Sequence, residues 1–285
     1  MITALAASGQ TAFAASQSGL MRTLDGGRSW HSAFDALGAG SAIAVSAVAL
    51  APEFATVKTV FASAQGAILR SSDGGDTWQA AQLPTPAPFV TSLAISPDYG
   101  HDHTLFAASL EDGVFRSTDG GATWNSWNFG LLDFQVLSLV IAPNNTLYAG
   151  TATGLFASRN AGRAWSEFPL PCGHLPVLSL ASTPEMLLAG TEGAGLLSSR
   201  DNGNTWQGGV EKALETVNAL VVDGASTLAL TPDTLFLSHD AGQTWQILPK
   251  TQDKTPVAIC AAHKVFIGYE NGEIEAIDTY ALDGT

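Results

Sequence analysis

The octapeptide Ser117-Thr118-Asp119-Gly120-Gly121-Ala122-Thr123-Trp124 is one of six related versions along the chain, and this recurrence constrains the fold more than any other feature. The others occupy 23–30, 71–78, 158–165, 199–206 and 238–245. All fit a hydroxyl residue, a variable one, Asp or Asn, two small or turn residues, and a closing Trp. An Asp followed two residues later by Gly is a tight-turn signature. Its carboxylate accepts the next backbone N–H groups, and Gly tolerates positive φ. Short apolar runs precede the turn, as in Gly113-Val114-Phe115, Gly154-Leu155-Phe156 and Gly195-Leu196-Leu197, and alternating residues follow the Trp. The octapeptide therefore joins two strands of a hairpin. The structural pairs are Asp25 and Trp30, Asp73 and Trp78, Asp119 and Trp124, Asn160 and Trp165, Asp201 and Trp206, and Asp240 and Trp245. Burying most of a Trp removes roughly 150–250 Å² from water, on the order of 4–6 kcal/mol as an upper bound, so these residues are expected to anchor the array.

The closing Trp residues stand 39 to 48 residues apart. A period of about 40–50 residues with several short strands per unit points to propeller blades, and no sustained helical stripe supports a helical repeat. First strands are expected at Ile2 to Ser8, Ala42 to Leu50, Val90 to Ile95, Val136 to Ile141, Val177 to Ala181, Val217 to Val222 and Val257 to Ala261. Fourth strands follow the Trp, Thr123 to Phe129 being the third blade's. Residues 256–285 supply three strands without an octapeptide. The expected fold is all-β: one domain, residues 1–285, of seven four-stranded antiparallel blades (roughly 1–37, 41–84, 88–131, 135–170, 176–210, 216–249 and 256–285). Blade seven closes against blade one, with the 280–285 tail open as its fourth strand. Six blades plus a tail is the alternative. Leu37 to Ser41, Leu83 to Pro88 and Pro169 to His174 read as loops.

The octapeptide resembles the Asp-box, or BNR repeat, of sialidases, sortilin-type receptors, xyloglucan-cleaving glycosidases and the photosystem II assembly factor family. The resemblance covers six repeats. It implies a β-propeller with each box on the turn between a blade's third and fourth strands, opposite the ligand-binding face. Asn160 and Ala164 depart from the pattern, which leaves the fourth turn's hydrogen bonding open.

The formal net charge is −14, which disfavours nucleic acid and anionic membranes, since both require clustered Lys and Arg. A protein or peptide partner, basic or neutral, is expected. Membrane insertion is not, because no run of about 18 apolar residues occurs. Cys172 and Cys260 fall in different repeats and read as reduced and structural. Ile2 to Ser8 already matches a first strand, so a cytoplasmic monomer is expected, with export the alternative if Met1 replaces a signal peptide. A domain of a larger secreted or sensor protein is a third reading.

A sialidase needs an arginine triad, a Tyr and Glu pair and an acid. All seven arginines fall in the repeat's hairpins: Arg22, Arg70 and Arg116 at one position, Arg159 and Arg200 at a second, Arg28 and Arg163 at a third. That activity is not expected. The turns between second and third strands carry Glu111, Asp112, Glu192, Asp233 and Glu270, a candidate acidic rim able to attract a cation, an amine or a basic peptide. His101-Asp102-His103 suggests metal ligands, yet the flanking residues parallel Ala51 to Phe61, so a repeat loop is expected, with no metal or cofactor. Trp127 and Phe129 are expected to cover a neighbouring blade. No Walker loop, nucleophile elbow or CxxC pair occurs. The leading expectation is a non-catalytic binding scaffold resembling the assembly factors, without their basic patch. The rival is a glycosidase or carbohydrate-binding protein using rim carboxylates beside exposed aromatics.

Overall fold

The structure is a computed structural model that describes residues 1–34, 43–86, 88–208, 214–224, 226–240, 242–248 and 254–278. Each octapeptide turns the chain between the third and fourth strands of an antiparallel sheet. In the third sheet the Ser117 hydroxyl donates to Asp119 Oδ1 (2.8 Å) and accepts from Gly121 N–H (2.9 Å). Asp119 then accepts Thr123 N–H on Oδ1 (2.9 Å) and Thr123 Oγ1–H on Oδ2 (2.5 Å). The same bonds form around Asp25, Asp73, Asp201 and Asp240. Asn160 keeps the Oδ1 bonds, from Ser158 and from Ala164 N–H (both 2.9 Å). Of the four bonds described around Asp119, the fourth turn keeps three and lacks the one that needs a hydroxyl at 164.

These hydrogen bonds favour the ionised carboxylate. The hydroxyl and N–H of Thr244 hold Asp240 at about 2. Burial pushes Asp119 upward, but the bonds from Thr123 and Ser117 outweigh it and leave it at about 2.

The fold is a seven-bladed β-propeller. Six sheets have four strands, and among the described residues the seventh has three, all in meander order. The first sheet is Ile2–Ser8, Thr11–Ser16, Gly19–Thr23 and His31–Ser32. The second is Val45–Leu50, Val60–Ala64, Ala67–Ser71 and Gln79–Gln82. Val90–Ile95, Leu105–Ser109, Val114–Ser117 and Asn125–Ser126 form the third; Val136–Ile141, Leu147–Thr151, Gly154–Ser158 and Ser166–Phe168 the fourth. The fifth holds Val177–Ser182, Leu187–Thr191, Leu196–Ser199 and Gln207–Gly208, the sixth Ala219–Asp223, Ser226–Leu230, Leu235–Ser238 and Gln246–Ile247. Pro256–Ala261, Lys264–Tyr269 and Ile274–Asp278 make the seventh, so the six-blade alternative is set aside. The third blade's fourth strand is two residues long rather than the seven expected. Outer strands this short leave few unpaired backbone groups at a sheet edge. The expected loop at Leu37 to Ser41, the start of the second blade at Ala42, Ala87 and the 280–285 tail lie outside the described residues.

Contacts group the chain into two compact units. In the first (Met1–Leu105, Ser117–Trp124, Lys254–Thr285), a second-strand aromatic of one blade lies under the second octapeptide glycine of the next. A Cβ on Gly75 would fall 2.9 Å from the Phe13 ring, one on Gly121 2.9 Å from Phe61, and one on Gly27 3.0 Å from Phe266. The last pair joins blade seven to blade one. Trp30 meets Phe266 edge-on at 6.1 Å, and a Cβ on Gly268 would meet Ile2 at 2.6 Å. Arg22 adds a clamp between blades one and two, donating to Gly74 O (2.6 Å) and pairing with Asp76 (2.7 Å). In the second unit (Phe106–Arg116, Asn125–Asp253), Phe106 lies under Gly162 and Phe168 under Gly203. Tyr148 OH donates to Asn202 O at 2.9 Å, and Ser138 and Ser179 hydroxyls donate to Val177 O and Val217 O across adjacent inner strands.

The Trp anchors are unequal. Trp124 and Trp165 are buried, at 6% and 5% exposure, whereas Trp30, Trp78, Trp206 and Trp245 are half-buried. Each immediately precedes the fourth strand of its sheet. Cys172 and Cys260 are free thiols, and burial pushes Cys260 up to about 12.

Candidate functional site

At the octapeptide end, the His101-Asp102-His103 segment is a helical turn, Tyr99–Asp102, rather than an irregular loop, and it matches Phe54–Val57 one blade earlier. His103 and Lys58 are both left-handed caps. The His103 N–H donates to Tyr99 O and its carbonyl accepts from Gly120 N–H, each at 3.0 Å. Asp102 accepts from Ser96 Oγ (2.7 Å) and Thr104 N–H (2.8 Å). His101 Nδ1 lies 2.7 Å from Asp98, whose hydrogen bond raises the imidazole's pKa. Each residue thus has a role in the turn, and among the described residues no group of three or more His, Cys, Asp or Glu is arranged to hold a metal ion.

The same end of blades five and six carries a cavity of about 560 Å³ that the repeat pattern does not reveal. Its walls include Thr183, Met186, Arg200, Val222, His239 and Gln243. His239 faces Ser226 through Nδ1 (3.1 Å) and Gln246 through Nε2 (3.2 Å), so its ring is oriented by its own sheet.

Second-to-third-strand turns sit at the opposite end of each sheet and carry the five acids. Glu111, Glu192, Asp233 and Glu270 are exposed, and Asp112 is half-buried. Hydrogen bonds hold these turns, through the acid's own N–H in three of them. Asp112 N–H donates to Ser109 Oγ (3.0 Å), Glu192 N–H to Pro176 O (3.0 Å), and Glu270 N–H to Thr255 O (3.0 Å). Asp233 Oδ1 accepts from Thr234 Oγ1 at 2.9 Å. Only Glu111 and Asp112 share a turn; the others occupy separate sheets, with Glu270 in the first unit and the other four acids in the second.

The connector from blade three to blade four departs from expectation. Trp127 is half-buried, with the Arg116 guanidinium over its ring at 4.9 Å and its carbonyl accepting from Trp165 Nε1–H (2.8 Å). Phe129 covers no neighbouring blade: it is 80% exposed, while its carbonyl accepts from Trp165 N–H (2.9 Å). Leu132 and Phe134 follow at 79% and 45% exposure, while Leu131 between them is buried. The signal in the sequence was an aromatic and aliphatic run, Phe129 to Phe134, that no other connector shares.

No protein-family model matches the chain, and no curated protein does. Solved structures match throughout. The extracellular domain of BT4673 from B. thetaiotaomicron superposes with a TM-score of 0.76 at 20% identity, over 96% of this chain and 38% of that one. YCF48, in a structure described as bound to D1 peptide, gives 0.73 at 17% identity over 98% of this chain and 93% of its own. The GH74 xyloglucanase from Xanthomonas campestris gives 0.73 at 20%, over 96% and 51%. The chain thus spans about two fifths of the BT4673 chain and half of the xyloglucanase. At these identities the likeness shows the fold, and function has to be argued from the site.

Proposed function

We propose that this propeller is a non-catalytic scaffold that holds a protein or peptide partner on the end carrying the second-to-third-strand turns. The observation that carries this reading is the set of exposed carboxylates on turns whose backbones are fixed by hydrogen bonds, in a chain of net charge −14. A fixed acidic surface attracts basic segments at long range and loses little conformational entropy on binding. The YCF48 structure supports it, since a propeller of nearly the same extent is described there with a peptide bound. In this reading the protein is a cytoplasmic monomer whose partner is basic.

The test is capture of partners from the native host by the purified protein and by a variant with Lys at Glu111, Asp112, Glu192 and Asp233, with Glu270→Lys made separately. Partners retained by the first protein and lost by the second support the proposal. Partners retained equally by both refute the acidic surface.

One observation favours a second reading, carbohydrate binding or hydrolysis: Phe129, Leu132 and Phe134 are exposed on a connector bonded to the Glu111 and Asp112 turn. Release of reducing sugar from xyloglucan, lost on Glu111→Gln or Asp112→Asn, would establish that reading over the scaffold.

A further inference from the structure

The Phe129 to Phe134 connector is unusual because its backbone is held at both ends while its large side chains face solvent. Phe129 O accepts from Trp165 N–H (2.9 Å), Leu131 N–H donates to Asn128 O (3.0 Å), and Phe134 O accepts from Gly113 N–H (3.1 Å). Asp133 Oδ2 accepts both the N–H (2.9 Å) and the hydroxyl (2.8 Å) of Thr153, fixing the connector to blade four. Leu131 is the buried peg beneath. Exposed apolar groups on a fixed backbone mark an interaction surface more strongly than the same groups scattered singly.

The acids are built into the same structure. Asn128 donates through Nδ2 to Asp112 O (2.8 Å) and accepts Val114 N–H on Oδ1 (2.8 Å), stitching the Glu111 and Asp112 turn to the connector. A side chain on Gly113 would strike Asn128 at 2.6 Å, so the two segments are in direct contact. The Glu111 and Asp112 turn therefore borders the connector that carries Phe129, Leu132 and Phe134, within one compact unit. Arg116, the cation nearest in sequence, lies over the rings of Phe106 and Trp127.

We propose that this ridge is the specificity element of the scaffold: it takes a segment of a partner protein in which basic side chains alternate with large apolar ones. The inference rests on the peptide-binding reading and adds to it a position and a sequence preference. The apolar residues bury their partners' side chains, and the carboxylates pair with the flanking cations and disfavour acidic segments. The same charges disfavour an anionic lipid surface.

Two fluorescent peptides of equal length and charge, one alternating Lys with Leu and one Lys with Ser, separate the contributions. Their anisotropy is titrated against the native protein, against F129S/L132S/F134S, and against the four-acid Lys variant. The three ridge side chains are exposed, so unchanged melting of their variant verifies its fold. The ridge predicts that the Lys-Leu peptide binds roughly ten-fold or more tightly than the Lys-Ser peptide, and that this advantage vanishes in the ridge variant. Equal binding of both peptides, lost only in the acid variant, overturns the ridge and leaves the acidic scaffold standing. Binding of neither peptide overturns the ridge and the basic-partner reading together. Attachment of the native protein to neutral phosphatidylcholine vesicles, lost in the ridge variant, overturns the proposal in favour of a membrane surface.

Discussion

Replacing Gly121 by Ala tests the blade-to-blade packing at one of its close approaches. Gly121 has φ near +90°, and the added Cβ would lie 2.9 Å from Phe61 Cε1 and 3.6 Å from Cδ1. Phe61 cannot retreat, being fully buried and held edge-on by Tyr99 at 5.8 Å. The positive φ costs about 1–2 kcal/mol for a residue with a Cβ, part of it offset by about 0.4–1 kcal/mol from a less flexible unfolded chain. Overpacking adds about 1–3 kcal/mol. The sum spans about 1–5 kcal/mol, and its middle, about 3 kcal/mol, corresponds to a fall in Tm of about 6–12 °C at roughly 2–4 °C per kcal/mol. Gly9→Ala is the internal control: φ is +60° and nothing lies within 4 Å of its Cβ, so it pays the backbone cost alone, within about 1 kcal/mol. Calorimetric melting of both variants and of G121A/F61L measures the clash directly, since the smaller Leu should recover part of the loss in the Gly121→Ala background. Equal Tm values for Gly121→Ala and Gly9→Ala would refute the packing argument.

Three further outcomes follow from the turns and the closure. N160D/A164T completes the fourth octapeptide by restoring the missing hydroxyl-to-carboxylate bond, and is expected to stabilise by about 1 kcal/mol, read as a rise in denaturant midpoint. Acid titration monitored by near-UV circular dichroism should show stability falling as pH drops below about 4 toward 2. Asp119 and Asp240 are held at about 2 when folded, below the unfolded carboxyl, so their contribution is present above that higher value and lost as pH falls through the lower one. Phe266→Ala empties the seat beneath Gly27 where blade seven meets blade one and should cost about 3–5 kcal/mol in urea unfolding, against near-neutral Phe129→Ala on the exposed ridge.

The blade architecture was legible because its determinants are local. A hydroxyl, a carboxylate and a glycine within five residues suffice to make the turn, and the chain repeats them at blade spacing. Blade seven could be recognised from its strands alone, since Phe266 repeats the aromatic position of Phe13, Phe61 and Phe106. What the sequence could not convey depends on which side of a strand meets a neighbour. Phe129 carries the same side chain as the buried aromatics, yet on the connector between blades it is 80% exposed. The helical turns at Phe54–Val57 and Tyr99–Asp102 end in a left-handed cap at Lys58 and His103, and the Lys at the first of these gives no signal for that conformation. The cavity beside Arg200 and His239 brings together two repeats, and no spacing within one repeat encodes it.

The proposal that a basic partner docks on the acidic turns is tested most directly by zero-length carbodiimide coupling of a captured partner to the native protein, with the joined residues mapped by mass spectrometry. The account predicts that partner lysines couple to Glu111, Asp112, Glu192 or Asp233. Coupling concentrated instead at the octapeptide end, on Asp76, Glu185 or Glu53, would contradict it.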